Sequence, residues 1–275
     1  MNDIQRIIES VPAAIAEEGD YEDGGLLYCG KCHTPKQFMA PFPWGEQIVK
    51  ISCACEKEAS EKLEALKKEY ERRDRINDLR KDGLPFSLRE STFDKDDGTN
   101  TEIMNLAKQY AEKWEKMVEK KEGLLFWGGT GSGKTFAAAC IANYLIDREI
   151  RVMMTPLARI LSMDINDRGP FLEDLSRHEL LILDDLGSER SNQYALEIAY
   201  RVIDDRYTLG KPLIVTTNLS LDAIRTADTI EYQRIYDRII EMCVPVQFKA
   251  ESLRRKIADD KLVELKAILR GGDGK

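Results

Sequence analysis

The chain has 275 residues, 43% hydrophobic and 33% charged, enough for one sizeable globular domain with an appendage. Its net charge of −8 argues against broad coating of nucleic acid and leaves room only for a local basic groove. No run of about 18 apolar residues marks a membrane span, and Met-Asn-Asp-Ile-Gln-Arg at the start lacks the features of a secretory leader. A cytoplasmic protein with no membrane role is therefore the expectation.

In chain order, Ile4, Ile7, Ile8 and Val11 stand at helical spacing, and an acidic segment over residues 17–25 reads as a solvated loop. Cys29-Gly-Lys-Cys32 and Cys53-Ala-Cys55 follow, separated by 20 residues. In a chain without an export signal, cysteines read as metal ligands or buried thiols before disulfides. Four thiolates delivered by two turns suit a tetrahedral structural Zn²⁺, with Gly30 and Pro35 helping the first turn to close. Two alternatives stand beside zinc. Cys29-x-x-Cys32-His33 matches a haem c attachment pattern, which the missing export signal disfavours, and a redox dithiol leaves the second cysteine pair without a role.

Residues 56–82 alternate opposite charges at helical spacing (Glu58/Lys62, Glu64/Lys68, Glu69/Arg73, Glu71/Arg75), each pair adding a few tenths of a kcal/mol. Their apolar stripe is thin: Leu63, Leu66, Tyr70, Ile76 and Leu79. The pattern predicts a solvated connecting arm; a coiled coil is the alternative, but no heptad seam is sustained. Gly83 and Pro85 end the helix. Beyond residue 84, apolar strands at 124–127, 151–155, 179–184, 213–217 and 244–248 alternate with helices at 136–146, 157–163, 192–207 and 229–242. Such alternation predicts a parallel sheet covered on both faces.

Residues 128–135 read Gly-Gly-Thr-Gly-Ser-Gly-Lys-Thr, matching G-x-x-x-x-G-K-[ST] at every position. Gly128, Gly131 and Gly133 let the backbone turn tightly and aim N–H groups at phosphate oxygens, with Gly129, Thr130, Ser132 and Phe136 completing the cradle. Lys134 faces the β- and γ-phosphates, and the Thr135 hydroxyl is a Mg²⁺ ligand candidate. A strand before the loop and a helix after it are the required setting, and the helix N-terminus itself attracts anions.

Leu-Leu-Ile-Leu-Asp-Asp at 180–185 is a strand ending in two carboxylates: Asp184 suits Mg²⁺, and Asp185 suits a base that orients water. The bland alternative is a strand that simply ends in an acidic turn. Asn218 follows the next strand, at the crevice where ligands bind in open α/β sheets; an ordinary turn is its alternative. Arg234, Arg238, Arg254 and Arg255 suit neutralisation of phosphate charge, although most such arginines are merely solvated. Cys140 and Cys243 read as buried core thiols and His178 as a turn residue.

Taken in order, the P-loop, Leu-Ile-Leu-Asp-Asp-Leu-Gly, Val-Thr-Thr-Asn-Leu, Arg-Ile-Tyr-Asp-Arg-Ile and Glu-Ser-Leu-Arg-Arg resemble the AAA+ ATPases. More narrowly, residues 84–258 look like the DnaC/DnaI-type replicative helicase loaders. The resemblance implies a five-stranded parallel sheet of order 5-1-4-3-2 with a short or absent lid. It makes Lys134 and Thr135 Walker A, Asp184 and Asp185 Walker B, Asn218 sensor 1, Arg238 the arginine finger and Arg254 sensor 2. It divides the chain into a zinc-binding helicase-interaction module (1–55), a helical linker (56–83), an ATPase domain (84–267) and a tail (268–275). ATP or ADP, Mg²⁺ and Zn²⁺ are the implied cofactors. A hexameric DnaB-type helicase, single-stranded DNA and further copies of the chain are the implied partners.

Two departures matter. Asp185 stands where many AAA+ proteins carry Glu, one methylene longer, so slow or partner-dependent hydrolysis is expected. The chain also has too little length after Phe248 for a multi-helix lid, which favours the loader form. For DNA, the loader resemblance points to residues 158–174, with Arg159, Arg168 and Phe171 available for phosphate contact and stacking, and to Tyr194; a plain surface helix is the alternative. An IstB-like transposition helper shares the core motifs. A nucleotide-dependent adaptor with little hydrolysis is a further reading. A small-metabolite kinase leaves Asn218 and Arg238 without roles.

Overall fold

The computed structural model describes residues 16–187, 193–226, 229–249, 261, 262 and 265. The apolar stretch at 4–11, Arg254, Arg255 and the tail at 268–275 lie outside the described residues. The chain divides into two units, Met1–Asp74 and Arg75–Lys275.

In the first unit, β1 (Tyr21–Asp23) pairs antiparallel with β2 (Leu26–Tyr28) across Gly24 and Gly25, whose φ of 57° and 78° suit a two-residue hairpin turn. A second hairpin joins β3 (Gln37–Phe42) to β4 (Gly45–Lys50). The acidic segment at 17–25 is exposed as its charge suggests apart from Asp20, but residues 21–23 form a strand in place of a plain loop. Asp20 has a side chain only 3% exposed and pairs at 2.7 Å with the buried Lys36 ammonium. A buried carboxylate is tolerated because it is fully partnered: Oδ1 also accepts from the Gly30 N–H at 3.0 Å.

Helix α1 (Ala54–Gly83) opens with the Glu56 carboxylate accepting from the Cys53 N–H at 3.1 Å, a capping-box contact at the first turn. Along its exposed surface, Lys62–Glu58 and Lys68–Glu64 form i,i+4 pairs. Arg75 differs from its expected pairing with Glu71 and reaches Glu149 at 2.9 Å. Gly83 does more than end the helix. A Cβ there would lie 2.0 Å from the Val152 carbonyl oxygen, so only glycine permits this approach of the backbones.

The second unit is a sheet with helices on both faces. Two one-turn 3₁₀ segments, Phe86–Leu88 and Phe93–Lys95, lead to α2 (Thr101–Glu112) and α3 (Trp114–Lys120). Then β5 (Gly123–Gly128), α4 (Lys134–Ile146), β6 (Val152–Pro156), α5 (Leu157–Ser162) and α6 (Ile165–Leu175) follow. The unit continues with β7 (Leu180–Leu186), α7 (Gln193–Leu209), β8 (Leu213–Thr217), α8 (Leu221–Arg225), α9 (Ile230–Met242) and β9 (Cys243–Phe248).

All five strands are parallel, in the order β6-β7-β8-β5-β9; numbered from β5 and read from the β9 edge, this is 5-1-4-3-2. Strand alternation explains why the strands read as unbroken apolar runs. Leu124, Phe126, Ile182 and Ile214 face the core shared with α2 and α4, while Leu125, Leu181, Leu183 and Val215 face the core under α5, α7 and α9. Both faces are buried, and each fully buried aliphatic side chain contributes about 1.5–3 kcal/mol. No helix among the described residues is long and apolar enough to cross a membrane.

Candidate nucleotide site and cysteine cluster

The strand order creates the site. β5 lies between β8 and β9, and β7 lies on the other side of β8. The chain leaves β5, β7 and β8 at the same edge of the sheet, so the P-loop, the Asp184–Asp185 pair and Asn218 converge although many residues separate them.

Gly128 has φ 139°, and a Cβ there would lie 2.2 Å from the Phe248 carbonyl oxygen; the first P-loop position must therefore be glycine. Gly133 (φ 99°) is the N-cap of α4, leaving the first N–H groups of the helix without intrahelical partners beside the loop. Lys134 is buried, its ammonium donating to the carbonyls of Gly128 (2.9 Å) and Gly129 (2.7 Å) and to Asn218 Oδ1 (2.9 Å). Asn100, at the start of α2, donates to the Ser132 carbonyl at 2.9 Å and so braces the loop from outside. A cavity of about 440 Å³ opens here, lined by Thr130 to Phe136, Asp184, Asp185 and Asn218, with Leu88 and Met104 supplying apolar surface.

Opposite Lys134 stand the carboxylates. Asp184 Oδ1 accepts from the Thr135 hydroxyl at 2.9 Å and the Thr216 hydroxyl at 2.7 Å. Asp185 adopts φ 57°, where the β7–β8 register shifts between Leu183 and Leu186. Left-handed backbone costs an ordinary side chain about 1–2 kcal/mol and an Asp less, so the bend itself favours Asp at 185. The bend brings Asp185 Oδ1 within 2.7 Å of Asn218 Nδ2. Asn218 thus joins Lys134 through its oxygen and Asp185 through its nitrogen. The Thr135 hydroxyl and Asp184 carboxylate are a hard-oxygen pair suited to Mg²⁺, and the lysine and helix N-terminus suit phosphate.

The arginines are placed elsewhere. Arg238 is paired with Asp204 and lies over the rings of Tyr200 (4.7 Å) and Tyr207 (5.4 Å), outside the lining of this cavity. Arg234 is exposed on α9, and Arg254 is outside the described residues. Arg168 is occupied in a way the sequence does not reveal. Its guanidinium donates to the carbonyls of Ile160, Leu161 and Met163, capping the end of α5, and stacks 5.2 Å from the Tyr194 ring. Arg159 is exposed, 5.9 Å from the Phe171 ring.

Sequence reasoning missed Thr216 and Asn100. Thr216 left a signal, a polar residue at the end of an otherwise aliphatic strand; Asn100, a helix N-cap before α2, left none that pointed to the loop. Cys140 and Cys243 are buried, and His178 ends the turn before β7 with Nδ1 2.9 Å from the Asp174 carbonyl.

In the first unit, the Sγ atoms of Cys29, Cys32, Cys53 and Cys55 all lie within 4.8 Å of one another. Tetrahedral Zn–S bonds of about 2.3 Å require sulfurs about 3.8 Å apart, so the four fit one ion. A Cβ on Gly30 would meet the Gly19 carbonyl oxygen at 1.9 Å, so the first turn requires glycine. Pro35 bridges back to Tyr28. The Thr34 hydroxyl beside Cys32 holds that thiol down to about 5, whereas the neighbouring thiols of Cys53, Cys29 and Cys32 push Cys55 up to about 12. Four thiolates this close repel one another unless a cation shares them, so the cluster is compatible with a metal site.

Comparison with known proteins agrees with this geometry. The IstB-like ATP binding protein family matches residues 61–260. The replicative helicase loader DnaC of Escherichia coli (strain K12) is 27% identical over 143 residues, 50% of this chain and 56% of that protein. DnaC of Buchnera aphidicola subsp. Acyrthosiphon pisum is 25% identical over 148 residues, with the same coverage of 50% and 56%. The chain thus spans little more than half the length of these relatives. The solved structure of the DnaC helicase loader matches with a TM-score of 0.52 at 24% identity, covering 60% of this chain and 100% of that one. That of DnaI matches at 0.51 and 21%, covering 62% and 93%. Identities this low speak for the fold alone. Because the family match takes in the P-loop, both acidic residues of β7 and Asn218, the chain belongs to the IstB-like ATP binding proteins, in the AAA+ group shared with DnaC.

Proposed function

We propose that the protein is an ATP-dependent loader that places a hexameric DnaB-type helicase on single-stranded DNA. The observation that carries this reading is the convergence of Lys134, Thr135, Asp184, Asp185 and Asn218 at one edge of the sheet, in a chain similar to DnaC.

In this reading the P-loop N–H groups and Lys134 bind the triphosphate. Mg²⁺ held by Thr135 and Asp184 supplies charge neutralisation at the phosphates when bound. Asp185, aimed by Asn218, takes the proton of the attacking water, and its short side chain makes turnover slow. Arg238 leaves Asp204 to complete the site of a neighbouring copy, and Arg254 serves as sensor 2. Cys29, Cys32, Cys53 and Cys55 hold Zn²⁺ in a helicase-gripping module over residues 1–55. Residues 56–83 form the linker, residues 84–267 the ATPase, and the protein works in the cytoplasm.

Copurification of the full chain with hexameric replicative helicases, with and without ATP, tests the reading: ATP-dependent capture is expected, and its absence with every helicase of the host sinks it. The family match itself favours a second reading, an IstB-like transposition helper. Capture of a transposase in place of a helicase decides for that one.

A further inference from the structure

Thr216 is 1% exposed, yet it lines the nucleotide cavity. Its hydroxyl oxygen lies 2.8 Å from the Asp185 nitrogen and 2.7 Å from Asp184 Oδ1. Chemistry sets the direction of both bonds. A backbone N–H only donates, so the hydroxyl oxygen accepts there; a carboxylate only accepts, so the single hydroxyl proton goes to Asp184. One side chain therefore holds both acidic residues of β7, the first by its carboxylate and the second by its backbone.

We propose that Thr216 is a positioning residue for nucleotide-bound Mg²⁺. Asp184 Oδ1 receives hydrogen bonds from Thr135 on α4 and Thr216 on β8 together, and the carboxylate cannot rotate without losing one of them. The Asp185 N–H, anchored to the same hydroxyl, holds the left-handed bend that carries its side chain to Asn218. Asp184 is thereby set in one orientation before the ion arrives, which is what makes a metal site selective and tight. Thr217 provides the contrast. It is equally buried, but its hydroxyl meets only backbone, donating to the Leu186 carbonyl at 2.7 Å and accepting from the Leu219 N–H at 3.1 Å.

This proposal rests on the ATP-site reading, and nucleotide binding tests the two separately. The dissociation constant of a fluorescent ATP analogue is measured in Mg²⁺ and in EDTA for the wild-type chain, T216V, T216S and T217V. The wild type is expected to bind more tightly in Mg²⁺. T216V should lose that enhancement by roughly tenfold or more while its affinity in EDTA stays within about twofold. T216S keeps the hydroxyl and T217V leaves it untouched, so both should retain the enhancement. Unchanged Mg²⁺ enhancement in T216V overturns the proposal, as does a wild type that binds ATP equally well in EDTA. A wild type that binds no nucleotide sinks the ATP reading itself. Should T216V not fold, T216C, with only a weak S–H donor, is measured against the same outcomes.

Discussion

In the proposed reading, Lys134 serves binding at the cavity and Asp185 serves chemistry. Lys134→Ala removes one of the two lysine ammonium groups that line the cavity among the described residues, the other being Lys95. It should weaken ATP binding by roughly 100-fold, the worth of a charge-assisted contact in a partly buried site; titration of a fluorescent analogue checks this. Asp185→Ala should leave affinity nearly intact and lower turnover by roughly 10²–10³-fold, as loss of a general base does. Asp185→Glu is not a simple gain, because glutamate tolerates φ 57° less well than aspartate. It should lower thermal stability as well as altering turnover, which differential scanning calorimetry can read beside the rate. The glycines and Lys134 were legible in the sequence because a contiguous motif dictates its own geometry. The left-handed bend at Asp185 was not, since it arises from a register shift against β8.

His178 shows how a residue with a bland local role still leaves a measurable trace. Burial pushes its imidazole below the usual 6.5, so the unfolded chain takes up this proton at a higher pH than the fold does. Stability should therefore be indifferent to this group above pH 6.5 and fall as the pH drops below it. Urea midpoints at pH 7.5 and 5.5 should converge in His178→Gln relative to wild type; an identical pH slope in both proteins contradicts the assignment.

Elements bear the same lesson. Helix α1 was legible almost to its ends, since charge pairs and a stripe of apolar positions are read locally, and its start is secured by Glu56 against Cys53. The two hairpins, one before Cys29 and one between Cys32 and Cys53, were not read, because Tyr21 to Lys50 carries little clean alternation and its order comes from Asp20, Lys36 and the Gly24–Gly25 turn. The cysteine cluster ties these hairpins to the first turn of α1. Cys53→Ser, or chelation of the full chain, should remove its bound zinc and lower the cooperativity of melting in the first unit. Released zinc, read with a chromogenic chelator, and proteolysis within residues 16–55 check it. A wild-type chain purified without zinc and resistant to proteolysis would falsify the metal reading.

Across the whole molecule, the charge of −8 and the placement of the arginines limit what the surface can do. Arg168 caps α5 and Arg238 pairs with Asp204, so neither is a loose cation awaiting phosphate. If Arg238 serves a neighbour's site, mixing Arg238→Ala with Lys134→Ala should restore a fraction of the ATP turnover that each lacks alone. Only the mixed assembly joins an intact P-loop to an intact arginine. The pair with Asp204 is part-exposed, so Arg238→Ala should cost under about 1 kcal/mol of stability, and chemical denaturation separates that loss from the catalytic one. No recovery on mixing would remove the arginine from the mechanism.

Read residue by residue, the chain specifies the phosphate loop, the pair of acidic residues, the arm and the cysteine quartet. In each of these, residue type and short-range spacing are sufficient physics. Its five apolar runs also specify a buried parallel sheet. The meeting of Lys134 with Asn218, of Thr216 with Asp184 and of Asp20 with Lys36 depends on folding. These partners lie 84, 32 and 16 residues apart, and strand order, register and burial bring them together. Hydrogen bonds act over about 3 Å, and no pattern along the chain encodes a distance that exists only once β7, β8 and β5 lie side by side.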